Sequence, residues 1–255
     1  MIQLDLIGIG TGNPDHLTLA AVRAINGADV ILLPDKGADK AGLIDLRRTI
    51  CATVLARAVP IVEFAMPLRD GAGDYAAAVD AWHHAIARVW QATLAQALPQ
   101  GGRAALLVWG DPALYDSSLR IAARLMGQGA ALAVQVVPGI TSIAALTAAH
   151  AIPLNPLAGP VMITTGRLLR AHGWPAGADH LVVMLDAGGA FATLEPAGIT
   201  IWWGAYLGMA HQALEHGPLA AVAPRILARR AALRAQHGWI MDIYLLKKET
   251  GDASW

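Results

Sequence analysis

The sequence predicts an α/β protein folded as two domains, on three observations. Short apolar runs alternate with helical patterns, as strands and helices do in an α/β sheet. Several of those runs stop at glycine-bearing turns, among them Gly8 to Gly12, Gly110 to Tyr115 and Gly204 to Gly208. A segment with three prolines in eight residues, Pro153 to Pro160, then interrupts the alternation. We expect domains over 1–153 and 160–248, with 154–159 as the linker.

Gln3 to Ile9 reads as a first strand, and Asn13 as the cap of a helix with Pro14 at its first position. Apolar residues from Leu17 to Ile25 carry that helix to Gly27, and Ala28 to Leu33 gives a second strand. A helix with both signs of charge runs from about Asp39 to Leu55, followed by a short strand, Pro60 to Phe64. Pro67 to Gly73 is a loop, and Tyr75 to Leu98 a long alanine-rich helix carrying the adjacent His83 and His84, read as surface or rim histidines. Ala104 to Trp109 is apolar enough to be a strand buried on both faces, and a helical pattern starts at Ser117. Leu132 to Val137 is a fifth strand, ending in Pro138-Gly139-Ile140-Thr141-Ser142 and a helix to about Ala149. Beyond the linker, strands are expected over Val161 to Thr165, His180 to Leu185, Ile199 to Trp203 and Trp239 to Leu246. Arg225, Arg229, Arg230 and Arg234 lie on a helix before Gly238 and read mostly as a solvated face.

Composition excludes several functions. The formal net charge is zero, from 19 basic and 19 acidic residues, which removes the electrostatic footprint of a nucleic-acid binder. The single cysteine, Cys51, permits neither a disulfide framework nor a cysteine-based metal site, and we expect a buried, inert thiol and no metal. The N-terminal stretch lacks the basic start and long apolar run of a signal peptide, and no run is long enough to span a membrane. A cytoplasmic protein is expected.

The centre of the chain is Trp109-Gly110-Asp111-Pro112-Ala113-Leu114-Tyr115-Asp116-Ser117. In an open α/β sheet, ligands sit beyond the carboxyl ends of the strands, where this turn falls. Gly110 would let a ligand approach the backbone, and Pro112 removes a donor and stiffens the loop. The first turn, Gly8-Ile9-Gly10-Thr11-Gly12, invites a dinucleotide-binding reading, with Asp35 near the place of a ribose-binding acid. Its glycines disagree: Asn13 and Asp15 stand where either frame of G-x-G-x-x-G requires glycine. A nicotinamide-dependent oxidoreductase therefore rests on one incomplete turn.

Taken in order, these turns, with Leu17-Thr18, Ala28-Asp29-Val30 and Pro138-Gly139-Ile140-Thr141-Ser142, resemble the tetrapyrrole methylase family over essentially the whole chain. The resemblance implies two α/β domains with a cleft between them, S-adenosyl-L-methionine as methyl donor, and a homodimer. Asp35-Lys36-Gly37, Ile163-Thr164-Thr165-Gly166-Arg167, Met184-Leu185-Asp186, Trp203 to Gly208 and His237 to Leu246 narrow it to one branch. That branch methylates precorrin-5 at carbon 1 of the macrocycle and releases its acetyl group as acetate. Another precorrin methylase is the nearest alternative.

Carried over by position, the donor site comprises Gly110, Asp111, Pro112, Tyr115, Thr141, Ser142, Met184 and Leu207, with Asp242 and Ile243 near the last strand. Many relatives have proline where this chain has Thr11. Methyl transfer from an activated donor needs alignment rather than a nucleophilic triad. Deacylation needs a general base and an oxyanion donor, and Asp111, Asp186 and Tyr206, with Asp116, are the polar groups at strand exits. The substrate is a polycarboxylate, so Lys36, Arg69, Arg120 and Arg167 are candidate substrate contacts, alongside Gly10 and Thr11.

Overall fold

The structure is a computed structural model and describes residues 1–35, 37, 41–69 and 74–249. Lys36, Asp39 and the loop positions 70–73 of the sequence reading lie outside the described residues. The chain divides into two compact units, Met1–Thr141 and Ser142–Trp255.

The first unit holds five parallel strands: β1 (Ile2–Gly8), β2 (Val30–Asp35), β3 (Ile61–Ala65), β4 (Gly102–Val108) and β5 (Leu132–Val137). Their order is β3-β2-β4-β1-β5. The apolar runs serve both faces, because successive side chains point to opposite sides. Leu4, Leu6, Leu32 and Leu106 pack with one core, which includes Ile86 and Trp90 of α3 (Tyr75–Ala97) and Ile121 of α4 (Ser118–Gly127). Ile7, Ile31, Leu33 and Leu107 pack with Ile25 of α1 (Leu19–Asn26) and Ile50 of α2 (Ala41–Val54). The chain leaves β1 toward β2 on one side and leaves β4 toward β5 on the other, so adjacent strands β1 and β4 form the topological switch point.

The first helix differs from its expected form. Asn13 caps only a 3-10 turn, Pro14–His16, and Thr18 then caps α1, accepting from Ala21 N–H at 3.0 Å. Two polar caps within six residues split one expected helix in two.

The second unit begins with α5 (Ser142–His150), followed by β6 (Val161–Thr165), α6 (Gly166–His172), β7 (His180–Met184) and β8 (Ile199–Ala205). It closes with β9 (Ala213–Pro218), α7 (Leu219–His237) and β10 (Asp242–Lys248). The sheet order is β6-β7-β10-β8-β9; β6 and β7 are parallel and the other pairings antiparallel. The division at Thr141 and Ser142 assigns α5 to this unit, whereas the sequence reading kept it in a first domain ending at Pro153. The physical reason is packing: α5 lies on β8 and β10, and an added Cβ at Gly204 would stand 2.9 Å from Leu146. Among the described residues no helix is long and apolar enough to cross a membrane.

Candidate functional site

At the switch point the turns after β1 and β4 are joined main chain to main chain. Gly110 N–H donates to Gly10 O at 2.7 Å, and Gly10 N–H to Gly110 O at 3.2 Å. The turn after β5 closes on the same place. A Cβ on Gly139 would lie 2.0 Å from Gly110 O, and one on Gly8 would lie 2.6 Å from Gly139 N, so both positions exclude any side chain. Gly110 is glycine for a different reason. Its φ is +63°, which L side chains rarely adopt, and an added Cβ would meet nothing within 4 Å. It presents bare backbone to open space, the property a ligand-binding turn needs.

Asp111 fastens this arrangement: its Oδ1 accepts from Ala113 N–H (2.8 Å) and its Oδ2 from Gly139 N–H (3.0 Å). One oxygen thus braces its own turn and the other holds the β5 turn, which makes Asp111 a positioning group. Pro112 is buried, and Tyr115 stands 42% exposed with φ +50°. Burial of part of its ring raises the Tyr115 phenol above its ordinary value. Asp116 Oδ1 accepts from Ser118 N–H (2.6 Å), which fixes the entry to α4. Thr11 is buried, with its hydroxyl hydrogen-bonded to His16 Nδ1 at 2.7 Å.

The candidate cations among the described residues lie on both units. Arg69 lies over the Tyr75 ring (5.2 Å), and Arg120 donates to Asp116 O (3.0 Å); both are exposed. Arg167 is exposed in the first turn of α6, in the second unit. Thr141 is the last residue of the first unit and Ser142 the first residue of α5.

In the second unit, three candidate polar residues are architectural. Asp186 is 5% exposed, and four donors fill its carboxylate: Arg170 Nη2 (2.6 Å), Gly188 N–H (3.1 Å), Ala190 N–H (2.5 Å) and Tyr244 Oη (2.7 Å). Burial alone would raise its pKa, but the bonds from Tyr244, Ala190 and Gly188 and the charge of Arg170 outweigh it, and the net shift is downward. Asp186 is therefore held as a saturated anion, which corrects its place among the catalytic candidates. Tyr206 is corrected likewise: it is buried, donates to Trp239 O, and packs against His211, His237 and Trp239. Asp242 accepts from Arg230 Nε (2.7 Å) and Trp203 Nε1 (3.0 Å), so its side chain is committed within its own unit. Ile243 is buried opposite Gly204, and Leu207 is buried against the same glycine. Met184 ends β7 beside Leu185, which has φ +52° and is 63% exposed.

The sequence model described as "Tetrapyrrole (Corrin/Porphyrin) Methylases" matches residues 3–223. The chain belongs to this family. It is 49% identical over 251 residues to a Sinorhizobium protein described as precorrin-6A synthase [deacetylating], covering 97% of this chain and 96% of that one. The crystal structure of a putative cobalamin synthesis related protein (CobF) from Corynebacterium diphtheriae matches with a TM-score of 0.83 and 36% identity, over 97% of this chain and 99% of that one. A Thermus thermophilus uroporphyrin-III C-methyltransferase, crystallised with S-adenyl homocysteine, shares the fold at a TM-score of 0.61 and 21% identity, over 96% and 92% of the two chains.

The methylase also holds polar residues that are more enclosed than the sequence reading had them, or that it did not consider. His83 is buried, not at the rim, and its Nε2 is hydrogen-bonded to Ser117 Oγ at 2.9 Å. Arg47 of α2 is 3% exposed. Arg230 also donates to the Asp186 and Ala187 carbonyls (2.8 and 3.2 Å), so it is not part of a solvated face. A signal for each was available. Arg47 falls in step with Ile44, Ile50 and Cys51, His83 with Ile86, Ala87 and Trp90, and Arg230 with Val222 and Ile226. Those are helical stripes that point inward.

Proposed function

We propose that this methylase is a deacetylating precorrin-6A synthase of cobalamin biosynthesis, which methylates precorrin-5 at carbon 1 and releases its acetyl group as acetate. The observation that carries this reading is the similarity to the Sinorhizobium precorrin-6A synthase along nearly the full length of both chains. A donor-binding turn with bare backbone at the switch point supports it independently.

In this reading Gly110, Pro112 and Tyr115 form the donor-facing turn, and Thr141 and Ser142 add hydroxyls after Pro138-Gly139. Met184 and Leu207 are proposed as further donor contacts on the second unit. S-adenosyl-L-methionine supplies an activated methyl group when bound, so the chain's task is alignment and exclusion of water. Asp111 serves that task indirectly, by fixing the β4 and β5 turns to each other through the Gly139 N–H. Arg69, Arg120 and Arg167 are proposed to meet substrate carboxylates. A cytoplasmic homodimer belongs to the same proposal, on the family resemblance.

The test is incubation of the full chain with labelled S-adenosylmethionine and enzymatically reconstituted precorrin-5, read by mass spectrometry. The expected product has gained one methyl group and lost the acetyl group, with acetate released in equal amount. Methylation that leaves the acetyl group in place would assign the chain to another precorrin acceptor. Absence of methylation with every precorrin offered would overturn the reading.

A further inference from the structure

Inside the first unit, beneath the Trp109–Ser117 segment, lies a cavity of about 260 Å³. Its wall includes Arg47, Trp82, Trp90, Trp109 and Tyr115. The wall is unusual in its polar atoms. Arg47 is almost fully buried, yet none of the ion pairs among the described residues involves it. Its Nε and Nη1 donate to the carbonyls of Leu107 and Leu43, both at 3.2 Å, and these bonds leave Nη2 without an acceptor among the described residues. The guanidinium lies over the Trp109 ring, with Cζ 5.1 Å from the centroid. Among the described residues the Nε1 donors of Trp109 and Trp90 are buried and find no hydrogen-bond partner. Asp116, the acidic group in the wall, keeps one oxygen on Ser118 N–H and lies outside ion-pair distance of Arg47. Burial lowers the Arg47 guanidinium to about 10, and the charge of Asp116 only partly opposes the shift.

A buried cation and buried N–H donors without acceptors are costly unless something completes them. An acceptor-only anion would complete the Arg47 guanidinium, whose planar fork matches a carboxylate. The wall also carries apolar side chains (Trp82, Ile86, Leu106) and the hydroxyl-bearing Ser117 and Ser118, and the volume lies below the ~300–1,000 Å³ of pockets that enclose drug-sized ligands. A whole macrocycle does not fit, but a carboxylate on a two- or three-carbon aliphatic chain does.

We propose that this cavity binds a short aliphatic carboxylate, held by the Arg47 guanidinium. Two sources share that chemistry: a carboxylate arm of the tetrapyrrole, or the acetate released from it. The choice between them rests on the function proposed above, but the binding itself does not.

The experiment titrates the full chain with sodium acetate, sodium propionate and sodium chloride at constant ionic strength, reading tryptophan fluorescence, since three tryptophans line the cavity. A saturable change with acetate or propionate and none with chloride is expected. Arg47→Met should weaken it by about tenfold or more. Identical responses to all three salts in the unaltered chain would overturn the proposal, as would an Arg47→Met response equal to it. If Arg47→Met fails to fold, the salt comparison still decides. With precorrin-5 present, acetate bound more tightly than propionate and inhibiting competitively identifies the leaving group. Propionate bound at least as tightly, with a raised KM in Arg47→Met, identifies a substrate arm. Failure of turnover with a saturable carboxylate titration would remove the proposed function and leave the pocket standing.

Discussion

Asp111 follows β4 in the first unit and Asp186 follows β7 in the second, each just beyond a parallel-paired strand and next to a residue of positive φ, Gly110 or Leu185. Asp111 accepts only main-chain N–H groups, from Ala113 and Gly139, and takes part in no ion pair among the described residues. Asp186 is surrounded by its own unit, with Arg170 and Tyr244 added to two main-chain donors. The same local pattern of strand, turn and aspartate thus has two uses. Where the carboxylate grips only neighbouring backbone, the outer side of the turn stays clear for a ligand. Where arginine and tyrosine fill it, the turn is internal architecture. Local sequence does not distinguish the two; what lies across from the aspartate does.

Substitutions can break or sharpen that contrast. The largest effect is expected from Gly139→Ala, whose Cβ would meet Gly110 O at 2.0 Å. Main chain cannot yield there cheaply, and a loss of about 3 kcal/mol or more is expected in urea unfolding. Stability equal to the unaltered chain would mean the three turns are looser than described.

Asp186→Asn should cost about 2–3 kcal/mol by the same measurement, because it removes the charge on which Arg170 and Tyr244 converge. The folded pKa of Asp186 is depressed, so its stabilisation is fully present above the unfolded value of about 3.9 and is lost as pH falls through the folded value. The gap between the two proteins should therefore be constant near neutrality and narrow below about pH 4. A gap independent of pH would show that the charge does not matter.

Gly110→Ala should cost only about 1–2 kcal/mol, from φ strain alone, since the added Cβ meets nothing. Its donor affinity by calorimetry should nonetheless fall about tenfold or more, because the methyl group occupies the ligand's approach. Intact affinity in the folded variant would move the donor site elsewhere. The smallest stability change is expected from Asp111→Asn, about 1 kcal/mol, since an amide keeps an acceptor for only one of the two N–H groups. Donor affinity should fall out of proportion to that loss, and a proportional change would make Asp111 a purely local brace.

The parallel sheet was legible because strands buried on both faces need continuous apolar runs, and Val30 to Leu33 or Ala104 to Val108 are such runs. β9 was missed because it is an edge strand. Ala213-Leu-Glu-His-Gly-Pro218 pairs only with β8, and it carries a glycine and a proline, residues that weaken a strand pattern. The proposed donor turn was visible as a glycine pattern, but the roles of the second-unit residues were not. Tyr206 and Asp186 are consumed by Trp239, Arg170 and Tyr244, partners far away in sequence. Arg47 went unnoticed beside Arg48, its exposed neighbour paired with Asp45 and Glu63, because an arginine on a charged helix is ordinarily solvated.

The interlocked glycines also set how this scaffold can be re-engineered. Because Gly8, Gly110 and Gly139 are one another's packing surface, the three segments that bear them are not modular. A chimera that imports the β4 loop of a relative alone inherits a mismatched neighbour on both sides, whereas the three segments exchanged together keep their fit. In amide hydrogen exchange, Gly110 and Gly139 should therefore open as one cooperative unit, at the free energy of the sheet and not of a surface loop. Directed evolution toward new acceptors therefore has almost no freedom at Gly8 and Gly139 themselves.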